Sequence, residues 1–141
     1  VEQAETAVAS GAKFIVTPGF DAAVVDWCIA HNVPITPGVM TPTEINMALN
    51  KGITLVKFFP AEAAGGVNAL KAIAAPYGGV TFIPTGGVST GNLADYLSLP
   101  MVHACGGSWV ATKQLINAGE FEKIEKLTAE GVKLVQQIRG K

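Results

Sequence analysis

Charge is scarce in this sequence. Asp, Glu, Lys and Arg make up 15% of its 141 residues, against roughly 25% in an ordinary soluble domain. Ten basic residues against eleven acidic ones leave a formal charge of −1, so there is no electrostatic footprint for nucleic acid or an anionic membrane surface. Cysteine is nearly missing too. Cys28 and Cys105 cannot build a disulfide framework, which makes a reducing cytoplasm the expectation. No apolar run approaches the roughly 20 residues of a bilayer crossing, and Val1 to Glu5 carries no targeting pattern. No Gly-x-Gly-x-x-Gly opens a helix, so a dinucleotide site has no support. No His, Cys and carboxylate cluster has metal-ligand spacing, so neither a metal nor another cofactor is expected. Apolar residues, by contrast, are plentiful: 49% of the chain, with a mean hydropathy of +0.37. That excludes a disordered tail. The length fits one domain, with more apolar surface than a chain of this size hides alone.

Short apolar segments recur along the chain: Phe14 to Val16, Val33 to Ile35, Ile53 to Phe58, Val80 to Ile83 and Met101 to Cys105. Each closes on proline or glycine, and each reads as a strand. Helical patterns lie between them. Val1 to Ser10 ends at Gly11, a C-terminal cap. Asp21 caps Ala22 to Ala30, and Thr41-Pro42-Thr43-Glu44 forms a capping box that opens a helix to about Asn50. Further helices are expected over Gly66 to Ala75, Asn92 to Leu97, Thr112 to Asn117 and Phe121 to Ile138. Strand and helix alternate with no hairpin signal, which predicts a parallel sheet covered on both faces. A doubly wound sheet and a (β/α)8 TIM barrel both fit; the short, regular spacing and the repeated Pro/Gly endings favour the barrel. A full barrel has eight units and typically about 250 residues. The expectation is therefore a single partial barrel domain over 1–141, with five units after an orphan helix and the early strands outside the chain.

Lys57 stands out inside Ile53-Thr54-Leu55-Val56-Lys57-Phe58-Phe59-Pro60. On a strand it shares a face with Ile53, Leu55 and Phe59, and in a covered sheet either face buries its ammonium. Desolvation lowers a lysine pKa by up to several units, and a neutral lysine forms Schiff bases with ketones. The plain alternative is a strand-end lysine whose head reaches solvent. Its place near the C-terminal end of a barrel strand, where active sites of that fold sit, favours chemistry. Glycine forms the second constellation. Gly86-Gly87 and Gly106-Gly107-Ser108 fall in what would be the loops after strands seven and eight, a frequent phosphate site of barrels. Thr85 is a candidate carboxylate donor. Glu62, near Lys57 in sequence, could handle protons but reads first as a helix-entry residue; Glu44 reads as half of its capping box, His31 as a solvated helix end, and His103 as a hydrogen-bonded strand histidine. Cys28, Cys105, Trp27 and Trp109 read as packing residues.

The block Val56-Lys57-Phe58-Phe59-Pro60-Ala61-Glu62, then Pro84-Thr85-Gly86-Gly87-Val88-Ser89 and Gly106-Gly107-Ser108-Trp109, resembles one family over essentially the whole chain. That family is the 2-keto-3-deoxy-6-phosphogluconate (KDPG) and 4-hydroxy-2-oxoglutarate (KHG) aldolases. The resemblance implies a metal-free class I lyase on a TIM barrel, usually homotrimeric, acting on small keto acids in carbohydrate metabolism. It makes Lys57 the Schiff-base residue, with Thr85, Phe59 and Pro18 around the pyruvate half. Gly86, Gly87, Gly106, Gly107 and Ser108 would hold the substrate phosphate. It places the family's general acid/base glutamate, with an arginine and a threonine of the pyruvate pocket, before residue 1. Two other readings stay open: a phosphate-binding isomerase or synthase barrel in which Lys57 acts electrostatically, and a catalytically silent barrel fragment or assembly module.

Overall fold

A computed structural model describes residues 1–140. In chain order its elements are α1 (Glu2–Ala9), β1 (Ile15–Val16), α2 (Ala22–Ala30), β2 (Ile35–Thr36), β3 (Gly38–Val39), α3 (Pro42–Asn50), β4 (Leu55–Phe58), α4 (Gly66–Ala74), β5 (Thr81–Pro84), α5 (Leu93–Leu97), a 3-10 turn (Trp109–Ala111), α6 (Lys113–Asn117) and α7 (Phe121–Arg139). The helix starts follow local chemistry. The Asp21 carboxylate accepts the N–H groups of Ala23 and Val24, and Thr41 with Glu44 closes the expected capping box. Gly11, at φ +100°, follows α1 in the left-handed conformation that a capping glycine adopts freely.

All strand pairs are parallel, and neighbours in space are neighbours in sequence: β1 with β2, and β3 with β4 with β5. The sheet is thus α/β and parallel, as expected. Pro37 splits one run into β2 and β3. It has no N–H to donate, but its carbonyl accepts the Lys57 N–H at 2.9 Å, so the chain pairs with β1 before it and β4 after it.

Two expectations need correction. Met101 to Cys105 is not a regular strand. It touches β5 at two isolated bridges, Phe82 with Val102 and Thr85 with Gly106. That is three steps along β5 (82 to 85) against four along the outer segment (102 to 106). One extra residue bulges out and interrupts the ladder. Nor are both sheet faces dry. Val56, Phe58 and Phe82 are 0% exposed and share a core cluster with Ile45, Leu70 and Tyr96 from the covering helices. Leu55, Lys57, Thr81 and Ile83, on the opposite face, are only half-buried. No helix among the described residues is long and apolar enough to cross a membrane.

Candidate functional site

The alternation of β4 decides where Lys57 goes. Its neighbours Val56 and Phe58 fill the core, so Lys57 is turned to the half-open face. Its Nζ lies 4.4 Å from the centre of the Phe59 ring, and among the described residues it joins no ion pair, the one recorded being Lys51 with Asp26 at 2.6 Å. Desolvation holds the amine below the usual lysine range. The ring face pulls the other way, favouring the cation by about 0.5–1 kcal/mol at a partly exposed site; with no carboxylate to assist it, desolvation prevails.

The other candidates gather at the same, C-terminal ends of the strands. Lys57 pairs with Gly38 in register, and Gly38 lies so close to the Pro18-Gly19 turn that an added Cβ would sit 2.2 Å from the Pro18 carbonyl oxygen. On the other side, Phe59 packs against Gly86, where a Cβ would be 3.2 Å from the ring. Thr85 pairs with Gly106, whose added Cβ would be 2.7 Å from the Thr85 Oγ1. Pro18, Lys57, Phe59, Thr85, Gly86 and Gly106 thus form one connected rim.

Gly86 and Gly87 have consecutive positive φ values, +98° and +82°. Their carbonyls are tied to the protein: Gly86 O accepts the Glu62 N–H at 3.0 Å, and Gly87 O accepts from the Asn92 side-chain amide at 3.2 Å. The N–H groups of Gly86, Gly87 and Val88 donate to no acceptor among the described residues. Successive unpaired amides are the donors that an anion-binding nest uses. The Ser108 side chain is exposed and makes no capping bond, leaving its hydroxyl available. Gly107 behaves differently: a Cβ there would be 1.7 Å from the Trp109 ring. It also borders a cavity of about 600 Å³ lined by Cys105, Trp109, Val132, Val135 and Arg139. None of Lys57, Phe59, Thr85 or Gly86 borders that cavity.

Known proteins bear directly on this arrangement. The family model for KDPG and KHG aldolase matches residues 1–127. The chain belongs to the KDPG and KHG aldolase family. It is 50% identical over 135 residues to the 2-dehydro-3-deoxy-phosphogluconate aldolase of Treponema pallidum, covering 96% of this chain and 64% of that protein. It is 46% identical over 135 residues to the enzyme of the same name from Haemophilus influenzae, with the same coverage. Among solved structures it resembles the KDPG aldolase of Legionella pneumophila, captured with pyruvate as a covalent carbinolamine intermediate. That match has a TM-score of 0.85 and 37% identity, over 89% of this chain and 61% of the other. The chain therefore spans under two thirds of the length of these relatives.

In this aldolase-family chain the remaining candidates fall into structural places. Glu44 completes its capping box. Burial pushes its carboxyl up, but hydrogen bonds from Met40 N–H, the Thr41 hydroxyl and Thr41 N–H outweigh that and hold it below the usual range. His31 caps α2, stacks on Trp27 at 4.4 Å and contacts the Trp27 carbonyl through Nδ1 at 2.8 Å. His103 departs from expectation: its backbone N–H bonds Phe82 O, but its ring is exposed and makes no hydrogen bond among the described residues. Cys28 is fully buried. Cys105 faces the cavity, and burial pushes its thiol up to about 11. Two features had no signal in the sequence: the unpaired Val88 amide, and Tyr96, whose hydroxyl donates to Glu62 Oε1 at 2.5 Å.

Proposed function

We propose that this chain carries the Schiff-base site of a class I aldolase. The enzyme would cleave 2-keto-3-deoxy-6-phosphogluconate to pyruvate and glyceraldehyde 3-phosphate, and 4-hydroxy-2-oxoglutarate to pyruvate and glyoxylate. The observation that carries the reading is Lys57, an amine without an acidic partner, desolvated against Phe59 on the rim that also bears the glycine loop. Its neutral form adds to the keto carbon, and the carbinolamine loses water to give a protonated imine. The imine draws the electrons of the C3–C4 bond as the C4 hydroxyl gives up its proton and the aldehyde departs. The enamine then takes a proton at C3, and water releases pyruvate and the free amine. Thr85, Phe59 and Pro18 border the pyruvate half. The amides of Gly86 and Gly87, with Gly107 and the Ser108 hydroxyl, receive the phosphate; Gly106, expected beside them, already gives its N–H to Pro84 O at 2.9 Å and shapes the loop instead. Glu62, the carboxylate nearest Lys57 in sequence, is held by Tyr96 and is not assigned the C4 hydroxyl proton.

The sequential parallel order supports a (β/α)8 barrel, in which βα loops converge on one site. A cytoplasmic homotrimer is the family-level expectation. The exposed apolar side chains Phe14, Ile116, Phe121 and Val132 support burial against further protein. The test is incubation of the chain with pyruvate and borohydride, followed by intact-mass analysis and peptide mapping. A single adduct on Lys57, absent from Lys57→Ala, is expected. A folded chain that gives no adduct overturns the reading.

A further inference from the structure

The loop that offers its amides to the phosphate is gripped from below by a pair of side chains that the reaction does not use. The Glu62 stem packs directly against Gly87: a Cβ at Gly87 would be 2.6 Å from both its Cβ and Cγ. The Glu62 N–H holds the Gly86 carbonyl, and Ala61 N–H holds the Thr85 carbonyl at 2.8 Å. Asn92 completes the grip, donating to Gly87 O and accepting the Ser89 N–H at 2.8 Å. Because a peptide's C=O and N–H point in opposite directions, tying these carbonyls down turns the following amides outward.

A carboxylate on an exposed side chain next to an anion site is an electrostatic problem, since like charges repel. Tyr96, 0% exposed, answers it by fixing where the charge lies. Its hydroxyl holds Glu62 Oε1 beside Gly66, whose added Cβ would be 3.1 Å from that oxygen. Gly66 opens α4, and a helix N-terminus favours negative charge. Burial first, and then the Glu62 carboxylate, keep the phenol well above its ordinary pKa, so it remains a donor.

We infer that Tyr96 and Glu62 are positioning residues for phosphate recognition: they hold the Gly86-Gly87 amides outward and keep the carboxylate turned away from the bound anion. This rests on the reading of that loop as the phosphate site, and it makes the pair a determinant of preference for phosphorylated substrate. The imine step at Lys57 does not depend on it.

The experiment titrates inorganic phosphate into the isotopically labelled chain at constant ionic strength, following the Gly86, Gly87 and Val88 amide resonances. Borohydride trapping of pyruvate at Lys57 runs in parallel. Tyr96→Phe, which keeps the buried ring, is expected to weaken phosphate binding by about tenfold, the scale of one hydrogen bond to a charged group. Trapping should stay unchanged. Glu62→Gln keeps the stem and an acceptor for the phenol, and should bind phosphate at least as well as the parent; Glu62→Ala, which removes both, should bind less. Parent-like phosphate binding in Tyr96→Phe and Glu62→Ala overturns the inference alone. A parent whose loop amides do not respond to phosphate overturns the phosphate reading, and this inference with it.

Discussion

Around β4 and β5 a single cluster joins sixteen buried residues, among them Val56, Phe58, Phe82 and Tyr96 at 0% exposure. Around β1 the corresponding cluster has three, Ala4, Ile15 and Cys28, and next to them Phe14 and Val16 stand 62% and 47% exposed. Both regions contribute to the rim, yet only one has a deep core beneath it. Lys57, Phe59 and the glycine loop inherit their positions from dense packing. Pro18 is placed by contact with its neighbour: the Gly38 backbone and Thr17, whose hydroxyl donates to Gly19 O at 2.7 Å and accepts from Gly38 N–H at 3.4 Å. The candidate lysine therefore rests on the well-packed region, and the part of the rim that carries Pro18 is held by a seam.

Substitutions can break that contrast or sharpen it. The largest difference is expected between two phenylalanines. Phe58→Ala should cost about 3–5 kcal/mol in urea unfolding, and Phe14→Ala less than about 0.5 kcal/mol; similar costs would mean the two regions are equally packed. Gly38→Ala drives a methyl into the Pro18 carbonyl, so a loss of about 1–3 kcal/mol is expected. Hydrogen exchange should then speed up at Thr17 and Gly38 while the Phe82 amide stays protected.

Glu44→Ala removes half of the capping box at the edge of the dense region and should cost about 1 kcal/mol at pH 7. Because the folded carboxyl lies below its unfolded value of about 4.3, the stabilisation is present above that pH. It is lost as pH falls through the lower folded value, and urea midpoints of parent and variant should then converge. The smallest effect has the opposite sign. Lys57 is depressed in the folded state, so the unfolded chain binds more protons between the folded value and about 10.4. Its charge thus costs stability at neutral pH and nothing above the unfolded value. Lys57→Met should melt slightly higher than the parent at pH 7, with the gap closing as pH rises from the folded value towards about 10.4.

Local chemistry made the helix starts legible in the sequence, since Asp21 and Thr41 each cap within three residues of themselves. Which residues share a face with Lys57 was legible for a similar reason, the strict alternation of a strand; that this face is the half-open one was not. What an apolar run does not state is its partner. Met101 to Cys105 has the composition of a strand, and only the spacing of its two bridges against β5 reveals the extra residue. The same limit hid how open the second sheet face is, because burial depends on what lies across from a residue. Glu62 could be read as a helix-entry residue from its neighbours, but the phenol that fixes it comes from 34 positions away.

The bulge beside β5 has a consequence best put as parity. Along an unbroken strand, residues an even number of steps apart share a face, so Gly106, four steps from the buried Val102, would belong with the core. Thr85 is an odd number of steps from Phe82 and faces the site. The extra residue cancels that mismatch by a half-period slip. Gly106 therefore leaves the bulge in phase with Thr85 and the rim rather than with the helices.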